Sequence, residues 1–533
     1  MILADALDTL RELVVEPLPA GIAGDPSALR EPQGRPEQGR GTASSGSPRA
    51  ASRGDRPIAA IAYDSRRVVP SAIFVALKGL KADGVAFAEQ ALTRGAQAVI
   101  SETPAPPGVP VPWLVVRDAR LALALLSDRF FDHPSRRMPV IGVTGTNGKT
   151  TTAYLLAAML DEAGLRAGML GTVAYRIGGE DREASRTTPE APDVQQLLSD
   201  MLRQGNQSAV MEVSSHALSL KRVDGMRFAA AVFSNLTRDH LDFHEDMEAY
   251  FAAKRRLFEM LPRDAPAVIN LDDPRGASLV EISGRPVTYA INAPADVRPG
   301  PVAMTLTGLR FDVTTPNGIV HIQSKLVGRP NVYNILAATA TAVSLAVPID
   351  AIERGVAGLA GVPGRFEVVS SADDDVTAVV DYAHTDDALR NLLETARPLG
   401  ARRLVTVFGC GGDRDRSKRP LMGMVAARLS DVVVITSDNP RTEDPKRIIE
   451  EIERGIPAGS QSSPRTPTVV STVDRAEAIE RAIAMAETGD VVLIAGKGHE
   501  KYQQVGDRVL PFDDGEVARA ALAKRRRTQA EGS

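Results

Sequence analysis

What the chain has little of narrows the field first. Its only cysteine is Cys410, so no disulfide framework can form within it. No run of apolar residues is long enough to cross a bilayer. The start, Met1-Ile-Leu-Ala-Asp5, lacks the basic residues and apolar stretch of a secretory signal. A formal net charge of −4 gives no excess of positive charge for nucleic acid. These absences predict a cytoplasmic protein with no nucleic-acid partner and no stable membrane insertion.

What is present is enough apolar material for several cores. At 533 residues, 43% of them hydrophobic and 24% charged, the chain is too long for one ordinary core, and its length suggests about three domains. Residues 2–15 read as a short helix. Between Gly24 and Pro57 the only aliphatic residue larger than alanine is Leu29, so 24–57 is expected to be a disordered insert. Strands are predicted at Ile58–Tyr63, Ala72–Leu77 and Ala96–Ile100, with a helix over Gly84–Gly95. Strand-like and helical runs then alternate, the pattern of a mostly parallel sheet. The expected fold is α/β in three domains: a small α/β domain (1–137), a central ATPase-like domain (138–363) and a Rossmann-like α/β domain (364–533).

The central domain opens on Val140-Ile-Gly-Val-Thr-Gly-Thr-Asn-Gly-Lys-Thr-Thr-Thr152, an apolar strand running through a glycine-rich turn into a helix. Glycines let successive backbone N–H groups converge, and the helix N-terminus adds its dipole. Lys149 supplies a point charge and Thr150 a hydroxyl for Mg²⁺. The first glycine of the Walker A pattern is replaced by Val143. Leu155, Leu156, Met159, Leu160 and Ala163 form one apolar face of the helix, and Gly164 stands where a C-terminal cap belongs.

Two later strands end in polar loops. Ser208–Val213 carries a single charge, Glu212, and Ala229–Phe233 opens onto Ser234–His244. An acidic residue at a parallel strand end faces the ligand crevice, so Glu212 with His240 is a candidate pair for a second Mg²⁺. The histidines His216, His240, His244, His384 and His499 all follow apolar strands, and none has zinc spacing. In the predicted helix Asp246–Leu261, Lys254 lies in the middle of the face made by Met247, Tyr250, Phe251, Phe258 and Leu261. Either its stem snorkels, or its amine is held beside phosphate and metal.

In the third domain, three predicted strands end at Gly409–Arg414, Asp438–Arg441 and Gly496–Glu500, loops that share one rim of an open sheet. Arg414, Arg441 and Glu500 suit a zwitterion, because arginine grips a carboxylate bidentately and glutamate accepts from an ammonium group. The basic run Lys524–Arg527 reads as the solvated end of a last helix. A phosphate loop on one domain and a zwitterion pocket on another suggest ATP-driven joining of a carboxylate to an amine through an acyl phosphate.

Taken together, Gly145–Thr151, Glu212–His216, Asn235–Asp242, Tyr250–Lys254, Gly328–Asn331 and Asp381–His384 resemble the motifs of the Mur ligases of peptidoglycan synthesis, over essentially the whole chain from Ile58 onward. The resemblance implies that Gly145, Thr146, Asn147, Gly148, Lys149, Thr150, Thr151, Asn331, Arg365 and Asp381 serve ATP. It implies that Ser65, Thr187, Thr188, Ser214 and Arg222 hold a UDP-N-acetylmuramoyl-dipeptide. Thr150, Glu212, His240 and a carbamylated Lys254 would serve Mg²⁺, with Lys149, Lys254 and His240 as the catalytic set. Asp64-Ser65-Arg66 and Asp438-Asn-Pro-Arg441 look like the family member that uses meso-diaminopimelate, which implies that Arg414, Asp438, Asn439, Pro440, Arg441, Gly496 and Glu500 bind that amino acid. Leu220 departs from the glutamine often found there. A lysine-adding ligase, a folylpolyglutamate synthase-like ligase and a nucleotide switch are the alternatives.

Overall fold

The computed structural model describes residues 1–15, 56–79, 82–457 and 467–532, so the insert expected at 24–57 lies outside the described residues except for Arg56 and Pro57. The chain forms two compact units. One comprises Met1–Pro139, Thr188–Gln204 and His216–Arg227; the other comprises Val140–Thr187, Gly205–Ser215 and Phe228–Ser533.

In the first unit, α1 (Leu3–Thr9) precedes β1 (Ala60–Ala62), β2 (Ala72–Val75), α2 (Ala88–Thr93), β3 (Ala98–Ser101), β4 (Trp113–Val115), α3 (Ala119–Phe130) and α4 (Pro134–Arg137). The four strands form a parallel sheet in chain order. β2 and β3 are buried at every position, which is why they read as continuous apolar runs. The helix expected over 2–15 ends at Thr9. Beyond it the β-branched pair Val14-Val15 prefers an extended path, with Val14 bridging Val116 and Val15 donating to the Val115 carbonyl at 2.9 Å. The helix expected from Gly84 begins as a 3₁₀ turn, Gly84–Phe87, because the Asp83 side chain accepts from Val85 N–H.

The second unit opens with β5 (Val140–Thr144), α5 (Lys149–Glu162), β6 (Ala167–Leu170), β7 (Ala174–Ile177) and β8 (Glu180–Glu183). Next in the chain is α6 (Ala191–Arg203), which belongs to the first unit. It buries Val194, Leu198 and Met201 at helical spacing, and its Asp193 accepts from Tyr63 Oη at 2.7 Å and from Arg67 at 2.9 Å. There follow β9 (Ser208–Glu212), α7 (Ser215–Ser219), β10 (Ala230–Phe233), α8 (Met247–Glu259), β11 (Pro266–Asn270), α9 (Gly276–Ile282) and β12 (Arg285–Tyr289). The sheet order is β12-β11-β10-β5-β9-β6-β7-β8, antiparallel only at β7 and β8. Both neighbours of β5 follow it in the chain and lie on opposite sides, which makes its C-terminal end a switch point where a ligand crevice opens.

The β-rich stretch contains β13 (Arg298–Pro299), β14 (Ala303–Thr305), β15 (Gly308–Thr315) and β16 (Gly318–Ser324). Along β15 burial alternates through Leu309, Phe311, Val313 and Thr315, as expected for a sheet with one wet face. Two helices, α10 (Arg329–Ser344) and α11 (Ile349–Gly358), pack on α5. The approach of α11 is so close that a Cβ at Gly355 would lie 2.6 Å from the Met159 Cα.

The remaining elements are β17 (Glu367–Val368), β18 (Thr377–Asp381), α12 (Asp386–Ala396), β19 (Leu404–Phe408), α13 (Lys418–Leu429), β20 (Val432–Ile435), α14 (Pro445–Glu453), β21 (Thr468–Ser471), α15 (Arg475–Met485), β22 (Val491–Ala495), the hairpin β23 (Tyr502–Val505) and β24 (Arg508–Pro511), and α16 (Asp514–Gly532). Their sheet runs β17-β18-β22-β19-β20-β21, parallel apart from β17. The loops after β18, β22, β19 and β20 therefore share one rim.

The basic run in α16 is not simply solvated. Arg525 donates to Asp375 with Nε and Nη2, both at 2.8 Å, and to the carbonyls of Ile483 and Ala486, while Arg526 pairs with Asp374. Arg525 also holds the Asp375 carboxyl well below the usual carboxylate range.

Arg475 and Asp514 are fully buried and doubly bonded, Nε to Oδ1 at 2.7 Å and Nη2 to Oδ2 at 2.6 Å. Removing one partner strands the other charge in the interior. Asp514→Ala is expected to destabilise the protein by about 3–5 kcal/mol, read from a denaturant unfolding curve.

Candidate active site

Every residue of β5 is buried, and the chain leaves it through Gly145 (φ 144°) and Gly148 (φ 89°), both conformations that favour glycine. A Cβ at Gly145 would collide with the Ser234 hydroxyl, and one at Gly148 with the Asn334 amide. The loop is clamped by the residues that follow β10. Thr146 N–H donates to the Asn235 carbonyl and Asn147 N–H to Asn235 Oδ1, both at 2.9 Å. Ser234 Oγ and Asn235 Nδ2 donate to the Asn147 carbonyl at 2.6 and 3.0 Å. The N–H groups of Thr146 and Asn147 are thus occupied, and the first turn of α5, where Thr152 closes a helical bond onto Gly148, is left to meet an anion.

Two amines converge on one carbonyl. Lys149 Nζ donates to the oxygens of Gly145 and Thr146 at 3.0 and 2.9 Å, and Lys254 Nζ donates to the same Gly145 oxygen at 2.7 Å. Lys254 does not snorkel: it is 2% exposed and lies over the Tyr250 ring at 4.5 Å. Burial pushes the Lys254 amine well below its usual range; the Lys149 charge adds to this and Asp239 opposes it. Burial likewise lowers Lys149, helped by Arg365 and opposed by Glu212 and Asp239.

Glu212 is buried at the end of β9. It accepts from Thr150 Oγ1 at 3.1 Å, from Thr172 N–H at 2.8 Å and from Thr172 Oγ1 at 3.0 Å. A buried carboxylate beside a threonine hydroxyl is a hard-oxygen donor set of the kind Mg²⁺ takes while keeping several waters. His240 (φ 56°) is partly exposed and lies 3.4 Å from Asp239. Among the described residues no three His, Cys, Asp or Glu side chains gather as a metal site.

Arg365 Nη2 donates to Thr150 Oγ1 at 3.3 Å and stacks its guanidinium over Tyr382 at 4.8 Å. Asp381 accepts from the N–H groups of Phe366 and Ala383, and burial pushes its carboxyl up despite the nearby Arg365 charge. A cavity of about 1030 Å³ is lined by Asn147, Gly148, Thr150, Thr151, Asn331, Arg365 and Asp381 together with Asn334, Tyr382 and Asp387. Lys149, Glu212, His240 and Lys254 do not line it.

The residues expected to hold the sugar-peptide fall in both units and are described separately. In the first unit Ser65 is buried and donates to Gln90 at 2.6 Å, while Arg222 donates to the Thr188 carbonyl at 3.0 Å and pairs with Glu190 at 2.7 Å. In the second, Thr187 bonds Thr172 at 3.0 Å and Ser214 follows β9.

On the other rim, Asn439 Nδ2 donates to Glu500 at 2.9 Å, and Arg441 (φ 51°) donates to the Gly412 carbonyl at 2.7 Å. Gly496 leaves no room for a side chain beside Asp438, and Arg414 is exposed at the mouth. Burial, and then the Asp438 charge, raise the Glu500 carboxyl. The neighbouring His499 is lowered to about 4 by burial, Arg365 and His384, so it is neutral at pH 7.

The sequence matches known proteins along most of its length. Residues 57–131 match the Mur ligase family catalytic domain, 143–342 the Mur ligase middle domain and 364–498 the Mur ligase glutamate ligase domain. The chain belongs to the Mur ligase family. A UDP-N-acetylmuramoyl-L-alanyl-D-glutamate–2,6-diaminopimelate ligase from Solibacter usitatus is 50% identical over 470 residues, covering 87% of this Mur ligase and 93% of the relative. The enzyme of the same name from Geobacillus thermodenitrificans is 46% identical over 482 residues, covering 89% and 97%. A solved structure of a ligase with that name superposes with a TM-score of 0.64 at 36% identity, covering 89% of this chain and 97% of the other.

Several residues of this Mur ligase site carry no role in the sequence reading. Asn235 fixes the phosphate loop, Tyr250 bonds Thr146 at 3.1 Å, and Asp387 accepts from Asn147 at 3.1 Å. Asn235 and Tyr250 stand inside motifs, but their part in the loop depends on partners far along the chain. Gly145→Ala is expected to cost about 1–3 kcal/mol in backbone strain, on top of the clash with Ser234. Adding Ser234→Ala removes that clash together with the bond to the Asn147 carbonyl, so the steric part should be recovered relative to Ser234→Ala alone, measured as shifts in the unfolding midpoint across the two single variants and the double.

Proposed function

We propose that this Mur ligase uses ATP to join meso-diaminopimelate to the D-glutamyl carboxylate of UDP-N-acetylmuramoyl-L-alanyl-D-glutamate, a step of peptidoglycan precursor synthesis, in the cytoplasm. The observation that carries this reading is the near-full-length identity of about one half to enzymes named for that reaction. In it, 1–137 binds the UDP-linked substrate, 138–363 binds ATP and 364–533 binds the amino acid.

A carboxylate is a poor electrophile because its charge is shared by two oxygens. One of those oxygens attacks the γ-phosphorus of ATP, ADP leaves, and an acyl phosphate forms. The neutral amine of diaminopimelate then attacks the acyl carbon and expels phosphate, while the amine's proton passes to the medium. Lys149 and the first turn of α5 spread the charge that builds on the transferring phosphoryl group. Mg²⁺, held through Thr150 and Glu212 with His240 and a modified Lys254, would neutralise phosphate charge. Asn331, Arg365 and Asp381 position the nucleotide; Ser65, Thr187, Thr188, Ser214 and Arg222 position the sugar-peptide.

The Lys254 amine is suited to carbamylation. Its lowered affinity for protons leaves more of it neutral near pH 7, and a neutral amine adds to CO₂ with loss of one proton. The product replaces one of two competing cations by an anion. ¹³C-bicarbonate should give a carbamate signal in the parent that is absent from Lys254→Arg. The signal should fade as the pH falls and the amine protonates.

Arg441 favours diaminopimelate, since lysine lacks the distal carboxylate an arginine would grip. Arg441 already has a positive φ, so alanine adds no new backbone strain there. Arg441→Ala should lower kcat/KM for diaminopimelate by about 30- to 5,000-fold with little change in the KM for ATP. The deciding assay supplies ATP and the UDP-linked dipeptide with diaminopimelate or lysine. Phosphate release that requires diaminopimelate supports the reading; release with lysine indicates the lysine-adding ligase, and uncoupled hydrolysis indicates a nucleotide switch.

A further inference from the structure

The pocket at the 438–441 and 496–500 loops is built on a lysine with no role so far. Lys497 is fully buried, and its Nζ donates to Asn439 Oδ1 at 2.9 Å and to the Tyr502 carbonyl at 2.7 Å. It lies 3.7 Å from Asp438 and 3.8 Å from Glu500. Asn439 Oδ1 accepts a second bond from Gln504 N–H at 2.9 Å, and Asn439 Nδ2 faces Glu500. Turning that amide over would set its NH₂ group against the ammonium and its oxygen against the carboxylate, so the Lys497 charge fixes which way Asn439 points.

The same lysine reaches Arg441 through the backbone. Arg441 N–H donates to the Gln504 carbonyl at 3.1 Å, and Gly506 N–H to the Arg441 carbonyl at 2.7 Å, so β23–β24 carries the left-handed residue. Lys497 belongs to the third loop and bonds directly to both the 438–441 loop and this hairpin. Arg475 is already matched by Asp514, which leaves Asp438 and Glu500 sharing Lys497 as counter-ion. Arg441 also faces Glu500, so the two carboxylates are met by the lysine they share and by the arginine of the 438–441 loop.

We propose that Lys497 is a positioning residue for the amino-acid substrate: through Asn439 and the hairpin it orients Glu500 and Arg441 without touching the substrate itself. This rests on the ligase reading above.

The test uses the full chain in the phosphate-release assay, varying each substrate in turn, with Lys497→Met and Lys497→Arg. Removing a charged hydrogen bond to Asn439 should raise the KM for diaminopimelate about ten- to a hundredfold. The KM values for ATP and the UDP-linked dipeptide should stay within about twofold, a split that a loss of general stability would not produce. Lys497→Arg keeps the charge yet cannot place one donor on Asn439 in a fully buried slot, so it should stay impaired for diaminopimelate even if Lys497→Met does not fold. A diaminopimelate KM within twofold of the parent in either folded variant, or an equal rise in all three KM values, overturns the proposal. A parent with no diaminopimelate-dependent phosphate release overturns the ligase reading instead.

Discussion

Two lysine amines share the peptide oxygen of Gly145, and the phosphate loop has to hold that oxygen between them. Each amine loses hydration on burial, and the neutral carbonyls of Gly145 and Thr146 do not replace it. The second unit answers with Glu212 and Asp239, which oppose the fall in Lys149, yet the site stays short of negative charge. A triphosphate supplies that charge. The clamp by Ser234 and Asn235 then makes sense as a way to hold the carbonyl still while the first turn of α5 is left to meet the phosphates.

The rim formed by the loops after β19, β20 and β22 is supported by buried cations of its own. Arg419 binds Glu443, Glu451 and the Gly411 carbonyl, and keeps the Glu443 carboxyl down at about 2. Glu443 in turn accepts from Asp413 N–H, which steadies the loop that carries Arg414. Arg475 joins the carbonyls that follow β20 and end β22 to Asp514. Such charges are costly to bury, and replacing them with apolar groups often gains stability. Their use beneath three adjoining loops is one way to fix the polar groups of those loops within a fraction of an ångström.

The unit β5–loop–α5 was legible because its signals are local: an apolar strand, glycines at the turn, an apolar helix face. Lys254 was legible as a misfit on an otherwise apolar face, and its burial decides between the two readings of that misfit. Lys497 was not, although its loop was singled out, because a lysine among polar residues looks like any solvated lysine until Asn439 and Tyr502 are brought to it. Arg525 and Arg526 misled for the same reason, their partners Asp374 and Asp375 lying far back in the chain. The first helix was overextended because Val14 and Val15 answer to β4 rather than to their own segment.

The chain visits the first unit three times, the second visit bringing α6 and with it Asp193, the acceptor for Tyr63 and Arg67. A fragment ending at Pro139 would therefore lack a helix that packs on its α3 and α4. The unit is discontinuous in the gene, so a single crossover cannot exchange it. Recombination that swaps this unit between relatives must carry the stretches before and after β9 along with the N-terminal segment, which ties its history to the strand that runs between them.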